Sequence, residues 1–152
     1  MKESICKEDL LEELHKSIHR RILEASKILD EVQESVDSES QSTAGDKHDT
    51  SRELMQQERN KAAQNLQNQI AMDGLLIKLK NTVSSNIITF GSLILTSMGW
   101  IFIGLPLGKI TFEKWDILCI SGNSPMAKLL VNGKAGGYIE INNNSIEIIT
   151  MK

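Results

Sequence analysis

The fold of the first half of the chain is decided by the stretch Ser42-Thr43-Ala44-Gly45-Asp46-Lys47-His48-Asp49-Thr50, which interrupts two long amphipathic segments. The flanking segments repeat apolar side chains at helical spacing, whereas this stretch is almost free of them and carries Gly45, which disfavours a helix. We therefore predict two antiparallel helices joined by a polar connection over 37–51. The connection carries an acidic pair, Asp46 and Asp49, where no hydrophobic core requires one.

The segment before the connection carries a heptad repeat. Over about 5–36, apolar residues recur in three registers: Leu11, Ile18, Ala25 and Val32; Leu14 and Ile28; and Ile22, Leu29 and Val36. The segment after it, about 52–80, has a weaker stripe of Met55, Ala62, Ala63, Leu66, Ile70 and Ile77. Such spacing is typical of helices that pack against each other. About 30 helical residues extend for roughly 45 Å, so the predicted hairpin is a long arm.

In the second half of the chain, short β-rich runs replace the helical period. We predict six strands, which form a small, mainly antiparallel sheet, at 87–90, 93–95, 100–103, 115–120, 138–141 and 146–149. Ser124 suits a helix N-cap and Pro125 the first helical position, so one short helix is expected there. The predicted fold class is α+β, with a hairpin domain at 1–82 and a β-rich domain at 83–152.

Charge and composition narrow the function. The 152 residues include 17 Lys and Arg and 20 Asp and Glu, a formal net charge of −3, and the acidic excess lies around the connection. Because nucleic-acid affinity depends mainly on Lys and Arg, we expect weak or no direct DNA binding. Two cysteines far apart and an N-terminus without an apolar stretch predict a cytoplasmic protein. The uncharged segment 81–108 is interpreted as strands and turns, not as a membrane span.

Other chemical sites find little support in the sequence. His15 and His19 have the i,i+4 spacing of a helical metal pair, but no third ligand is evident, so we interpret them as surface residues. The glycine-rich stretch 133–137 lacks the features of a phosphate loop. Taken alone, Asp46 and Asp49 also fit a solvated loop that serves only solubility, because exposed carboxylates repel weakly in water.

Two motifs, in this order, resemble the Gre family of bacterial transcript-cleavage factors. Gly45-Asp46-x-x-Asp49 is similar to the family's Gly-Asp-x-x-Glu tip. The segment Ser124-Pro125-Met126-Ala127-Lys128-Leu129-Leu130, followed by Gly133-Lys134, is similar to the family's Ser-Pro-x-x-x-x-Leu-x-Gly-Lys segment. The resemblance covers nearly the whole chain and implies a coiled-coil hairpin, an acidic tip and a β-rich domain similar to FKBP.

The resemblance implies that the partner is bacterial RNA polymerase. The β-rich domain would dock near the mouth of the polymerase's secondary channel, with Ser124 and Pro125 near the contact, and the hairpin would enter the channel. Asp46 would then help to hold a second Mg²⁺ in the polymerase active centre, and Asp49 would position water for cleavage of backtracked RNA. It also implies that the chain is not an enzyme by itself, that the free protein holds no Mg²⁺ stably, and that it meets nascent RNA only within the polymerase complex.

The chain departs from the family pattern at its second acidic residue, where Asp49 replaces Glu, and just beyond it, where Thr50, Ser51 and Arg52 replace an Asn and aromatic residues. Because a 1 Å error in a catalytic group costs on the order of a hundredfold in rate, two alternatives stay open. One is a secondary-channel regulator that does not stimulate cleavage. The other, from a different class, is an FKBP-like folding catalyst or chaperone, which an aromatic-lined cleft would indicate.

Overall fold

The computed structural model describes residues 4–42 and 49–152, with side chains for 4–38 and 50–152. Two long helices, α1 at Lys7–Ser42 and α2 at Asp49–Lys80, come first. Six strands and a short helix follow: β1 Leu93–Thr96, β2 Gly99–Ile103, β3 Gly108–Phe112, β4 Trp115–Ile120, α3 Pro125–Leu130, β5 Tyr138–Ile141 and β6 Asn144–Met151. The predicted α+β class with an N-terminal helical hairpin is confirmed.

Helices α1 and α2 pack against each other through only part of the predicted apolar stripes. Ile18, Ala25 and Ala62 are buried, as the heptad pattern predicts. The prediction is wrong at Ile28 and at two residues of α2, which are about half exposed: Ile70 and Ile77. One series of less exposed positions in α2 is spaced by three and four residues and includes polar side chains: Met55, Arg59, Ala62, Leu66, Gln69, Asp73 and Leu76.

Both helices are longer than the sequence predicts. Helix α1 continues past Val36 to Ser42, and α2 begins at Asp49, so the predicted helix boundaries at 37 and 51 are wrong. Loss of apolar residues marks the end of an amphipathic stripe, but Asp, Ser, Glu and Gln remain compatible with helical backbone. The two helices are therefore separated by only 43–48, which lie outside the described residues.

The chain divides into two compact units. One contains the described residues up to Leu14 together with Leu75–Lys152, so the start of α1 and the last turns of α2 belong with the sheet. The other is the remaining hairpin, His15–Gly74. The proposed division of function between 1–82 and 83–152 stays a prediction.

The six strands form one sheet in the order β3-β4-β2-β1-β6-β5. Strands β2 and β4 run parallel, and the other neighbours run antiparallel, so the sheet is mixed. Two-residue turns join the pairs β1–β2, β3–β4 and β5–β6. In the last of these turns, Asn142 and Asn143 have φ of 51° and 66°, a left-handed conformation that Asn tolerates better than most residues.

The sheet is buried on both faces. One face carries a cluster that includes residues of α3: Ile88, Ile94, Ile101, Ile103, Ala127, Leu130 and Ile148. Because side chains alternate along a strand, Leu93 and Phe102 point to the other face, where both are fully buried. Leu79 of α2 packs on Gly104, where an added Cβ would lie 2.8 Å from the Leu79 Cδ2 atom.

Two strand predictions are corrected by the structure. The segment 87–90 is not a strand: Ile88 N donates to the Gly133 carbonyl at 2.9 Å, and Thr89 N donates to Ser92 Oγ at 2.9 Å, in a turn. Strand β3, Gly108–Phe112, was not among the predicted strands. This strand lies at the edge of the sheet and exposes most of its side chains, so it lacks an apolar run.

Candidate functional site

The first candidate site is the segment around α3, where the structure confirms the predicted helix start. Ser124 is the N-cap: its Oγ accepts a hydrogen bond from Ala127 N at 3.2 Å and donates one to the Ser121 carbonyl at 2.8 Å. Pro125 occupies the first helical position, where its missing N–H costs nothing. The Ser124 hydroxyl therefore makes both of these hydrogen bonds within 121–127.

The glycine that follows α3 is held by its neighbours. At Gly133, an added Cβ would lie 2.8 Å from the Leu130 carbonyl oxygen and 3.0 Å from Ile148 Cδ1, so a larger residue would need a local shift. Asn132 N donates to the Ile88 carbonyl, and the Gly133 carbonyl accepts from Ile88 N. These contacts hold the segment 130–133 against Ile88, which lies in the segment before β1.

The outer side of α3 offers a surface to a partner. Pro125, Lys128 and Leu129 are exposed, while Ala127 and Leu130 are buried in the core. The Ser124 cap fixes the N-terminus of α3, and the exposed side of the helix carries apolar and basic side chains. This combination suits a docking element. Whether Ser124 and Pro125 lie at a polymerase contact stays a prediction.

The second candidate site is the connection between the long helices. Asp46 lies in 43–48, outside the described residues, and Asp49 is the first residue of α2, with its side chain outside the described part. The structure therefore neither brings the two carboxylates together nor separates them. Their roles as a catalytic and metal-binding pair stay a prediction.

Polar contacts bridge the hairpin on the approach to the connection. Arg59 Nε donates to Gln33 Oε1, which joins α2 to α1, and Gln33 Nε2 donates to Asp37 Oδ1 at 3.0 Å. Val36 adds a buried apolar contact at the same level. A side-chain amide between a guanidinium and a carboxylate fixes the relative register of the helices by direction-dependent bonds.

The donor chemistry of the acidic pair suits a hard cation. Two carboxylates supply oxygen ligands of the kind that Mg²⁺ prefers, and Mg²⁺ is commonly held by only one or two protein carboxylates. Among the side chains described, those of 4–38 and 50–152, no group of three or more His, Cys, Asp or Glu is placed to hold a metal ion.

A different group of titratable side chains comes together in the hairpin. His15 Nδ1 lies 3.9 Å from Asp73 Oδ1 across the two helices. His15 and His19 rings lie 6.4 Å apart between centroids, with 23° between their planes. The His15 Nδ1 atom is buried and has no hydrogen-bond partner in the described structure. Sequence reasoning found the two histidines but missed Asp73, because only the pairing of the helices brings position 73 beside position 15.

A cleft of about 590 Å³ is lined by 4–8, 84–86 and 151–152. Lys7 Nζ donates to the Lys152 carbonyl oxygen at 3.3 Å, and Lys152 Nζ donates to the Ile5 carbonyl oxygen at 2.6 Å. Burial lowers the pKa of the Lys7 ammonium. Both lysines therefore bind main-chain oxygens and hold the start of α1 against the end of β6.

Aromatic residues serve mainly the core. Phe102 is fully buried, and the buried Trp100 packs edge-on against Trp115 with ring centroids 6.1 Å apart. The cleft described above has no aromatic residue in its lining. That cleft gives the folding-catalyst alternative no support.

The helices of the described residues contain no stretch that is both long and apolar enough to cross a bilayer. The interpretation of the uncharged segment 81–108 as strands and turns agrees with the fold: most of this segment forms β1, β2 and their connections.

Comparisons with known proteins give one structural match. No protein-family model matches the sequence, and no curated protein matches it. The chain is similar to a solved structure of the transcription factor Gfh1, with 18% sequence identity and a TM-score of 0.34, over 94% of this chain and 91% of that one.

Proposed function

We propose that this chain is an RNA polymerase secondary-channel factor that stimulates cleavage of backtracked transcripts. The observation that carries the proposal is the architecture of the hairpin. Helix α1 runs without interruption for 36 residues to Ser42, and α2 begins at Asp49, so Asp46 falls in a connection of six residues, 43–48. A connection of six residues that contains Asp46 and is followed directly by Asp49, between two long packed helices, suits delivery of carboxylates to a recessed site.

In this proposal the chain supplies groups to a centre that the polymerase owns. Asp46 contributes a carboxylate to a cation bound mainly by the polymerase, and Asp49 orients the attacking water. When bound, a second Mg²⁺ stabilises negative charge that develops on the oxygens of the phosphodiester. The hairpin provides the positioning, because a cross-helix bond between Gln33 and Arg59 sets the register near the tip. The factor is not an enzyme in the absence of the polymerase.

Docking is assigned in the proposal to the β-rich unit. The exposed side of α3 presents Pro125, Lys128 and Leu129. Ser124 caps the N-terminus of this helix and so helps to hold these residues in place. The Ser124 hydroxyl is bonded within the chain, so in this proposal its effect on docking is indirect.

Two alternatives are separated by experiment. A non-cleaving secondary-channel regulator would bind polymerase equally well, and the replacement of Glu by Asp49 favours it, because Asp is one methylene shorter. A folding catalyst or chaperone would act on unfolded clients without polymerase.

The test uses stalled, backtracked polymerase and measures shortening of the labelled RNA 3′ end. Asp46→Asn removes the charge and nearly preserves the shape of the side chain, so we expect cleavage to fall on the order of a hundredfold or more, in line with loss of a positioned catalytic group. Binding to polymerase, measured by competition, should stay within about twofold. Asp49→Asn should reduce cleavage less.

The matched variant is Asp49→Glu, which restores the reach of the family-like residue and keeps the charge. We expect it to preserve or raise cleavage, which a loop that serves only solubility would not do. If the wild-type chain binds polymerase but gives no cleavage at any Mg²⁺ concentration, and Asp49→Glu does not restore it, the non-cleaving regulator is correct. If the chain does not bind polymerase, the whole proposal fails.

A further inference from the structure

We propose that His15 and His19 form a binding site for a borderline divalent metal ion such as Zn²⁺, with Asp73 as the positioning residue. The site goes beyond the proposed function, because it lies on the helical hairpin away from 43–48 and uses none of the acidic residues assigned to cleavage. It is a two-imidazole site completed by water, since the described residues contain no group of three placed to hold a metal.

The two histidines point their rings to the same side of α1. Residues four apart on a helix are neighbours on its surface, and the rings are nearly parallel at 23° with centroids 6.4 Å apart. Imidazole nitrogens are good ligands for Zn²⁺, Cu²⁺ and Ni²⁺, whereas hard cations prefer oxygen. The chemistry therefore selects a borderline metal and not Mg²⁺.

Asp73 gives the site a feature that an isolated histidine pair lacks. Its Oδ1 atom faces the buried Nδ1 atom of His15 at 3.9 Å, and that nitrogen has no hydrogen-bond partner in the described structure. A small approach of the two groups makes an Nδ1–H···carboxylate bond, which fixes the tautomer of His15 with a lone pair on Nε2. Metal-bound histidines commonly donate their second ring nitrogen to a carboxylate in this way.

The remaining adjustment falls on His19. Each Zn–N bond is about 2.0–2.1 Å long, so the two ligand nitrogens must come within about 4.2 Å of each other. His19 is exposed and His15 is half-exposed, so rotation of the His19 side chain meets no packed core. The cost is mainly the rotamer entropy of a surface side chain.

The test is isothermal titration of the tag-free full chain with ZnCl₂ near neutral pH. We expect saturable binding of one ion, and a fall in the association constant of at least about tenfold for His19→Gln. Asp73→Asn should lower it by about 10-fold to 100-fold, the range for loss of a carboxylate behind a metal-bound histidine. The matched control is His48→Gln, which removes the chain's third histidine and should leave binding unchanged.

A second measurement separates positioning from a general structural effect. In ¹⁵N spectra of the histidine rings without metal, the wild-type chain should hold His15 with its proton on Nδ1, and Asp73→Asn should shift the population toward the Nε2 proton. Absence of saturable binding by the wild-type chain, or unchanged binding in His19→Gln, would overturn the site. An unchanged His15 tautomer in Asp73→Asn would overturn the role of Asp73.

Discussion

Ser124 fixes the start of α3 with a single hydroxyl group. Its Oγ accepts from Ala127 N and donates to the Ser121 carbonyl, so it satisfies one otherwise unpaired amide of the first helical turn. Removal of an N-cap hydroxyl typically costs about 1 kcal/mol. We expect Ser124→Ala to lower the free energy of unfolding by about that amount in urea denaturation.

The control for this change is Ser124→Thr, which keeps the hydroxyl and should retain most of the stability. If polymerase binding falls for Ser124→Ala but not for Ser124→Thr, the cap supports docking through α3. Equal stability of Ser124→Ala and the wild-type chain would contradict the structural role of the hydroxyl.

The buried thiol of Cys119 makes the free energy of unfolding depend on pH. The side chain is buried beside Phe102 in the sheet, and burial raises the pKa of its thiol from an ordinary value of 9.0 to about 12. The folded state therefore keeps the proton while the unfolded chain loses it above pH 9. The stabilising contribution is complete below pH 9 and is lost as pH rises toward about 12.

We expect the wild-type chain to lose roughly 1 kcal/mol of unfolding free energy per pH unit above pH 9 relative to Cys119→Ala. Urea denaturation at several pH values measures this difference in slope, which is independent of any constant cost of the cavity. Cys6→Ala is the matched control, because Cys6 is also a free thiol but is only half-buried. A Cys119→Ala chain with the wild-type slope would refute the assignment.

Residue-level signals in the sequence predicted contacts that are local in the chain. The cap at Ser124 was found because both partners lie within three residues of it. Asp73 was missed because its approach to His15 depends on how two helices pair. No local pattern encodes that distance.

At the scale of elements, apolar periodicity predicted the two helices and most strands. It predicted the ends of the helices and their buried faces less accurately. Ile70 and Ile77 continue an apolar pattern in sequence, yet the structure leaves them exposed, and polar Arg59 and Gln69 take less exposed positions. Strand β3 was missed because its sequence, Gly-Lys-Ile-Thr-Phe, has no run of apolar residues. Apolar periodicity predicts which residues are buried. It predicts helix ends and strand β3 less well, because these are formed partly by backbone hydrogen bonds.

Helix α2 contains a glycine that its environment does not require. Gly74 lies within the helix, and an added Cβ there would meet nothing within 4 Å. Because glycine loses more backbone entropy on folding than alanine, we expect Gly74→Ala to raise the free energy of unfolding by about 0.5–1 kcal/mol. Urea denaturation of the full chain measures the gain.

The contrasting variant is Gly91→Ala. Gly91 has a φ of +94°, and an added Cβ would lie 3.0 Å from Thr82 Oγ1 and 3.2 Å from Leu79 Cδ2. We expect this variant to be destabilised by about 1–2 kcal/mol, the usual cost of a left-handed conformation in a residue with a Cβ. A loss of stability in Gly74→Ala would show that α2 needs a glycine there for a reason outside helix propensity.

At the scale of the whole molecule, the β-rich unit depends on the helix ends. The sequence places a domain boundary at 82/83, because the strands have their own turns and apolar residues. In the structure, residues before that boundary are fully buried in the same compact unit as the sheet: Ile5, Leu10, Leu76 and Leu79. Full burial of one such side chain contributes about 1.5–3 kcal/mol, and domains of this size are only marginally stable.

We therefore expect a fragment of residues 83–152 to lack a cooperative thermal unfolding transition. A chain in which His15–Gly74 is replaced by a flexible Gly/Ser linker should unfold cooperatively, because it retains the buried residues of the sheet unit from both helices. Calorimetry of the two proteins measures the difference. If the linker chain folds and still competes for polymerase, docking belongs to the sheet unit, and the hairpin is required only for cleavage. If 83–152 unfolds as cooperatively as the linker chain, the helix ends are dispensable, and the boundary suggested by the sequence is the physical one.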